Sequence, residues 1–270
     1  MFALFFGILF LDSLFCTDIG FGCLAILAGG IGLYEFYHIA GKNGFSPFRI
    51  SGIAAGVWLS VSYWLSIRTN AGIDYHFFRQ ETLVILIFWL LLIQAFARGT
   101  KDAIKNIAVT IFGIFYVVFL LSFAIALRHF PQGLCVVILV LLVSKFGDIG
   151  GYLLGRKYGK HKLAKVISPN KTIEGACFSL ASSVFIALIF NFIPQTKVMS
   201  LPWSMVFGVI VGFSALLGDL AESLLKRDAN VKDSGRLVPA FGGVLDVIDC
   251  LLISMPVSYY FFVWFKFVSL

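Results

Sequence analysis

The chain has 270 residues, 60% of them hydrophobic and only 13% charged, with a formal net charge of +7. Soluble domains carry about 25% charged residues, so a mean hydropathy of +0.96 excludes an ordinary water-soluble fold and makes lipid the solvent. The basic balance would suit nucleic acid, but membrane proteins gather Lys and Arg in cytoplasmic loops for topological reasons.

Apolar stretches near the roughly 20 residues that a helix needs to cross a bilayer recur along the chain. They predict spans at 1–17, 19–40, 50–67, 82–97, 104–127, 134–153, 173–193, 203–225 and 244–265. The first has no basic n-region and no small-residue cleavage site, so it reads as a span and not as a signal peptide. The expected fold is therefore all-α: a polytopic integral membrane protein of about nine transmembrane helices, forming one membrane domain over 1–270.

Alternate loops differ in charge. Those holding Lys42 and Arg49, Arg98 to Lys105, Arg156 to Lys171 and Lys226 to Arg236 carry fifteen Lys and Arg, against five for the other loops and the C-terminal end. Basic loops stay inside, which puts the N-terminus in the cytoplasm and the C-terminus outside. Topology thus accounts for the basic charge, and nucleic acid is not an expected partner. Cys16, Cys23, Cys135, Cys177 and Cys250 sit singly in apolar surroundings, and the four histidines lack ligand spacing, so neither a disulfide framework nor a histidine metal site is expected.

Charge within the spans concentrates late in the chain, which predicts a scaffold in 1–140 and the chemistry in 141–270. Asp148 lies in an apolar span, followed by Gly151, Gly155 and Gly159 at four-residue intervals, a stripe that permits close helix packing. The segment Ser168-Pro169-Asn170-Lys171-Thr172-Ile173-Glu174-Gly175 reads as a helix start, with Ser168 as N-cap and Pro169 in the first turn. Free N–H groups beside Lys171 would suit a phosphate.

Asp219, Glu222, Ser223 and Lys226 fall at i, i+3, i+4 and i+7, on one helix face. A carboxylate inside a membrane span is a functional candidate by default; the plainer alternative is an ion pair of Glu222 with Lys226. Beyond a loop with Lys232-Asp233-Ser234-Gly235, the last span opens with Asp246 and Asp249, again on one face. One or two carboxylates plus phosphate oxygens are what Mg²⁺ takes, whereas helix capping is the commoner use of such acids.

Taken together these segments resemble the phosphatidate cytidylyltransferases, which make CDP-diacylglycerol. The likeness rests on S-L-L-K-R-x4-K-D-S-G-x3-P-x-F-G-G-V-L-D-V-I-D from Ser223 to Asp249, on S-P-N-K-T-I-E-G from Ser168, and on the stretch Asp148 to Arg156, with a softer match at Tyr34-Glu35-Phe36-Tyr37. Phe241 and Val247 stand where the family usually has His and Arg. The resemblance implies CTP and phosphatidate as substrates and Mg²⁺ on Asp219 and Asp246. Lys226, Arg227, Lys232, Asp233 and Asp249 are then catalytic, and Asp148, Ser168, Asn170, Lys171, Thr172, Glu174 and Ser223 bind substrate. Also expected are a place in the inner or plasma membrane of a bacterium, assembly as a homodimer and, from the loop charges, a site facing the cytoplasm. The alternatives are a CTP-dependent enzyme acting on another lipid phosphate or a lipid alcohol, and a transporter, whose broken helices also carry buried acids.

Overall fold

The computed structural model describes residues 12, 18–69, 75–193, 196, 198–235, 237, 242–265 and 267. The expected span at 1–17 lies, except for Asp12, outside the described residues, as does Phe241. Among the described residues eight helices are long and apolar enough to cross a membrane, and each coincides with one of the other eight expected spans. The chain is an integral membrane protein built from helices.

In chain order these helices are α1 (Ile19–Lys42), α2 (Arg49–Thr69), α3 (Tyr75–Ile93), which runs into a π-helical turn, α4 (Ala103–Arg128), α5 (Gly133–Tyr158), α6 (Ile173–Phe192), α7 (Leu201–Asp228) and α8 (Val244–Trp264). A π-helical stretch, Ile114–Phe119, interrupts α4. Departing from an all-helical reading, Lys162–Ala164 (β1) and Ser168–Thr172 (β2) pair as an antiparallel ribbon.

The ribbon corrects the helix start expected at Ser168. Pro169 disfavours helical backbone in the residue before it, and Ser168–Thr172 is extended. The cap falls four residues later, where Thr172 Oγ1 accepts from Gly175 N at 3.0 Å and satisfies one of the orphan donors of the first turn of α6.

The chain divides into two compact units: Met1–Ile125 with Asp228–Val247, and Ala126–Arg227 with Ile248–Leu270. The core of the first is built round Tyr37 of α1, which is fully buried. Its hydroxyl donates to Thr110 O at 2.8 Å. Glycines let the neighbours close on this ring, since a Cβ at Gly113 would stand 2.7 Å from it.

In the second unit α5 and α6 meet along a row of small residues. A Cβ added at Gly151 would stand 3.1 Å from the Ser179 side chain, and one at Gly155 2.9 Å from Gly175 Cα. The glycine stripe read from the sequence is a helix contact, and α5 continues through it to Tyr158. Helices α5 and α8 are joined by Ser144 Oγ donating to Ser254 Oγ at 3.2 Å.

Candidate active site

Charge inside apolar helices has to be matched, because an isolated ion in hydrocarbon costs several kcal/mol. The second unit matches it with a mixed cluster. Lys171 on β2 places Nζ 2.6 Å from Asp219 Oδ2 on α7, and Ser223, one turn along, donates from Oγ to Asp219 Oδ1 at 3.4 Å. On α5, Lys145 Nζ lies 4.0 Å from Asp148 Oδ2, which supplies the partner that Asp148 lacked in the sequence. Lys145 also acts electrostatically on Asp249 and bonds the Cys250 thiol. Asp219 is within electrostatic reach of both Asp148 and Asp249.

Three carboxylates and two ammonium groups, drawn from α5, β2, α7 and α8, therefore share one neighbourhood. Gly218 makes this possible: a Cβ there would sit 2.5 Å from Asp249 O, so α7 and α8 touch through their backbones. Asp249 is buried, whereas the side chains of Lys171, Asp219, Lys145 and Asp148 keep 21%, 30%, 23% and 34% of their exposure. These four side chains are partly exposed, but Lys171 Nζ itself is buried against its carboxylate partner.

The other expected site residues of this unit surround the cluster in different ways. Lys226 Nζ lies 2.6 Å from Glu222 Oε2, whose side chain is almost wholly buried, as the plainer sequence reading held. Arg227 is exposed and its Nε donates to Ile167 O at 3.3 Å, tying α7 to the ribbon. Asn170 is exposed on β2. Glu174 turns back to accept from Lys160 N at 3.0 Å and from His161 N, with His161 Nδ1 at 2.6 Å. It holds the turn that enters the ribbon.

The first unit handles its acids differently. Asp246 Oδ2 accepts from Gly243 N at 2.7 Å and from Ser234 N and Oγ, each at 2.9 Å. It is the third residue of α8 reaching back to the helix entrance, as a capping-box acid does. Glu35 is 2% exposed and accepts from Val244 N at 3.0 Å, Leu245 N at 2.8 Å and Ser234 Oγ at 3.1 Å. Lys232 and Asp233 are exposed on the loop that precedes α8.

Two charged residues escaped the sequence reading. Lys145 is a lone cation in an apolar span, three residues before Asp148, and that spacing is the signal for it. Glu35 lay within the soft match at Tyr34 to Tyr37, but its partners are some 200 residues away in sequence, beyond the reach of any local pattern.

As for a metal, among the described residues no three His, Cys, Asp or Glu side chains form a ligand group. Mg²⁺ does not require one, since it keeps waters and takes one or two carboxylates plus phosphate oxygens. The donors here, carboxylates beside ammonium groups able to hold phosphate, fit that chemistry.

The profile of the cytidylyltransferase family matches residues 1–265. Among similar proteins, the phosphatidate cytidylyltransferase of Chlamydia pneumoniae is 32% identical over 94% of this chain and 86% of its own length. That of Haemophilus influenzae is 31% identical over 94% and 92%, and that of Synechocystis 30% identical over 86% and 85%. With a family profile spanning nearly the whole sequence and relatives matched along most of their length, the chain belongs to the cytidylyltransferase family.

Proposed function

We propose that the protein is a nucleotidyltransferase of phospholipid biosynthesis, transferring the cytidylyl group of CTP to phosphatidate to give CDP-diacylglycerol and pyrophosphate. Family membership supports the reaction class. The observation that carries the reading is the Lys171–Asp219 pair, part of a cluster of acids and amines at the ends of and within apolar helices, where a charged headgroup and a lipid tail find suitable surroundings together.

In the proposed mechanism a phosphate oxygen of phosphatidate attacks the α-phosphorus of CTP in line. The new P–O bond forms as the bond from the α-phosphorus to the bridging oxygen of pyrophosphate breaks, and that oxygen keeps the electron pair. The second pKa of a phosphomonoester is about 6, so the nucleophile is already ionised and no general base is needed. Catalysis then consists of positioning and charge neutralisation.

Lys171 is suited to hold a phosphate: a triphosphate offers it the negative charge that it now takes from Asp219, and a side-chain rotation moves it from one to the other. Lys145, between Asp148 and Asp249, keeps the buried side of the cluster balanced. Arg227, Lys226 and Lys232 add positive potential for the leaving pyrophosphate. Asp219 and Asp246 are the carboxylates proposed for Mg²⁺, Asp219 on its partial exposure and both on their donor chemistry. When bound, Mg²⁺ neutralises charge on the nucleotide phosphates.

The test is formation of CDP-diacylglycerol by the purified protein in detergent with Mg²⁺ and CTP labelled at the α-phosphate. Label in the lipid is the expected result; label transferred only from the γ-phosphate would make the protein a lipid kinase instead.

The site is proposed to face the cytoplasm, on the charge asymmetry of the loops. Single cysteines at Lys160 and Lys232 should react with an impermeant thiol reagent only from the cytoplasmic side, and one at Lys197 only from outside. Reaction of all three from one side would defeat this orientation. Lys232 is exposed and serves better than the nearby Gly235, where a Cβ would stand 2.5 Å from Glu35 Oε1.

A further inference from the structure

Glu35 is the least expected charge in the molecule: a carboxylate in the middle of an apolar helix, 2% exposed, whose hydrogen-bond donors all come from the segment 234–245. Val244 N and Leu245 N are first-turn amides of α8, which have no partner within their own helix, and the positive end of the helix dipole adds to the attraction. Oε1 takes the first amide and Oε2 the second, at 3.0 and 2.8 Å.

The segment is shaped to receive this group. A Cβ at Gly235 would stand 2.5 Å from Glu35 Oε1, and one at Gly243 2.7 Å from its carboxyl carbon. Gly242 adopts a φ of 97°, a conformation that favours glycine and turns the chain into α8. Ser234 Oγ completes the arrangement, 3.1 Å from Glu35 Oε2 and 2.9 Å from Asp246 Oδ2. A hydroxyl has one proton, so the two carboxylates share it, and Ser234 Oγ links Asp246 to Glu35.

We propose that Glu35 is a positioning residue for the reaction: anchored in α1, it fixes the entrance of α8 and the Ser234 loop and so sets the orientation of Asp246. This rests on the reading of Asp246 as a carboxylate of the active site. A carboxylate with four oxygen lone-pair positions and no donor suits a nest of N–H and O–H groups. Glutamine does not, because its NH₂ must face the Val244 or the Leu245 N–H, whichever oxygen it replaces.

The experiment compares the natural chain with Glu35→Gln, Glu35→Asp and Ser234→Ala, by steady-state kinetics in CTP and by hydrogen exchange of the peptide covering 242–250. Glu35→Gln is expected to lower kcat about 10–100-fold, the usual effect of losing an outer-shell partner, with a much smaller change in KM for CTP. It should also speed exchange at Val244 and Leu245. Glu35→Asp should recover part of both, since it restores an acceptor-only group.

Unchanged kcat and unchanged exchange in a folded Glu35→Gln would overturn the proposal, and so would equal losses in Gln and Asp. Where the Glu35 variants do not fold, Ser234→Ala decides: it removes the hydroxyl that Glu35 and Asp246 share while leaving the amide bonds to both carboxylates, including Ser234 N to Asp246, and is expected to lower kcat about tenfold. Full kcat in that variant overturns the positioning role. The exchange readout does not depend on the substrate, so failure of the natural chain to make CDP-diacylglycerol counts against the proposed function and leaves the anchoring result to stand by itself.

Discussion

Acids in or beside apolar helices occur in both units, and one pair from each, Glu35 with Asp246 and Asp219 with Asp148, is held in contrasting ways. In the first, Glu35 and Asp246 receive hydrogen bonds from backbone amides and from one serine hydroxyl, groups whose positions the fold itself fixes. In the second, Asp219 and Asp148 face the flexible ammonium groups of Lys171 and Lys145 and remain partly exposed. Amide partners hold a carboxylate in one orientation, while a lysine at the end of four methylenes can be displaced by another anion. An acid in a membrane helix is therefore better judged by what it faces than by its depth.

The sharpest way to test that contrast is to neutralise one acid of each kind. Asp219→Asn, nearly isosteric, should lower turnover by about 10²–10³-fold, corresponding to several kcal/mol of lost charge stabilisation, while gel filtration and melting temperature stay close to those of the natural chain. Asp246→Asn should lower turnover as strongly but should also lower the melting temperature, because its side chain closes the entrance of α8. Near-normal rates at saturating Mg²⁺ in either variant would remove that residue from the metal role, and equal melting behaviour would erase the distinction between the units.

A second comparison concerns packing apart from charge. Gly155→Leu places a branched side chain where even a Cβ would come within 2.9 Å of Gly175 Cα, and overpacking of this kind typically costs about 1–3 kcal/mol. Thermal unfolding in detergent measures it. Thr172→Ala should come next, with a loss of about 1 kcal/mol for a missing N-cap and a rate reduced only through the position of its neighbour Lys171.

The smallest effect is expected from Phe241→His. An ionised phosphate nucleophile needs no base, so the added imidazole should change the initial rate only modestly, or lower it if the ring finds no hydrogen-bond partner. A large gain, above all in combination with Val247→Arg, would show that the family histidine supplies something the mechanism lacks.

The helices were legible because lipid imposes a length and a hydrophobicity that few sequences meet by accident, and eight expected spans were recovered within a few residues. At the cluster, Asp148, Lys171, Asp219 and Asp249 could each be named from local patterns. That they share one neighbourhood could not, since the approach depends on Gly218 against the backbone of α8. The ribbon was missed because five polar residues ahead of an apolar run serve equally well as a strand or as the start of a helix. Proline in the second position suits a first helical turn but also constrains the residue before it to extended backbone. Glu35 was passed over because a glutamate between tyrosine and phenylalanine does not announce which distant amides it will meet.

The contact between α5 and α6 has a consequence for the lipid. Where backbones stand so near that a single methyl group at Gly151 or Gly155 would crowd its neighbour, there is no slot for a chain of methylenes, so the seam between these helices is sealed against acyl tails. A lipid whose headgroup reaches Lys171 must thread its tails along some other seam, and bulky residues introduced across α5 and α6 would loosen the bundle without obstructing that passage. The glycine row thus acts as a gasket, and a lateral entry for lipid would have to lie on the remaining faces of the helices that bear the acids.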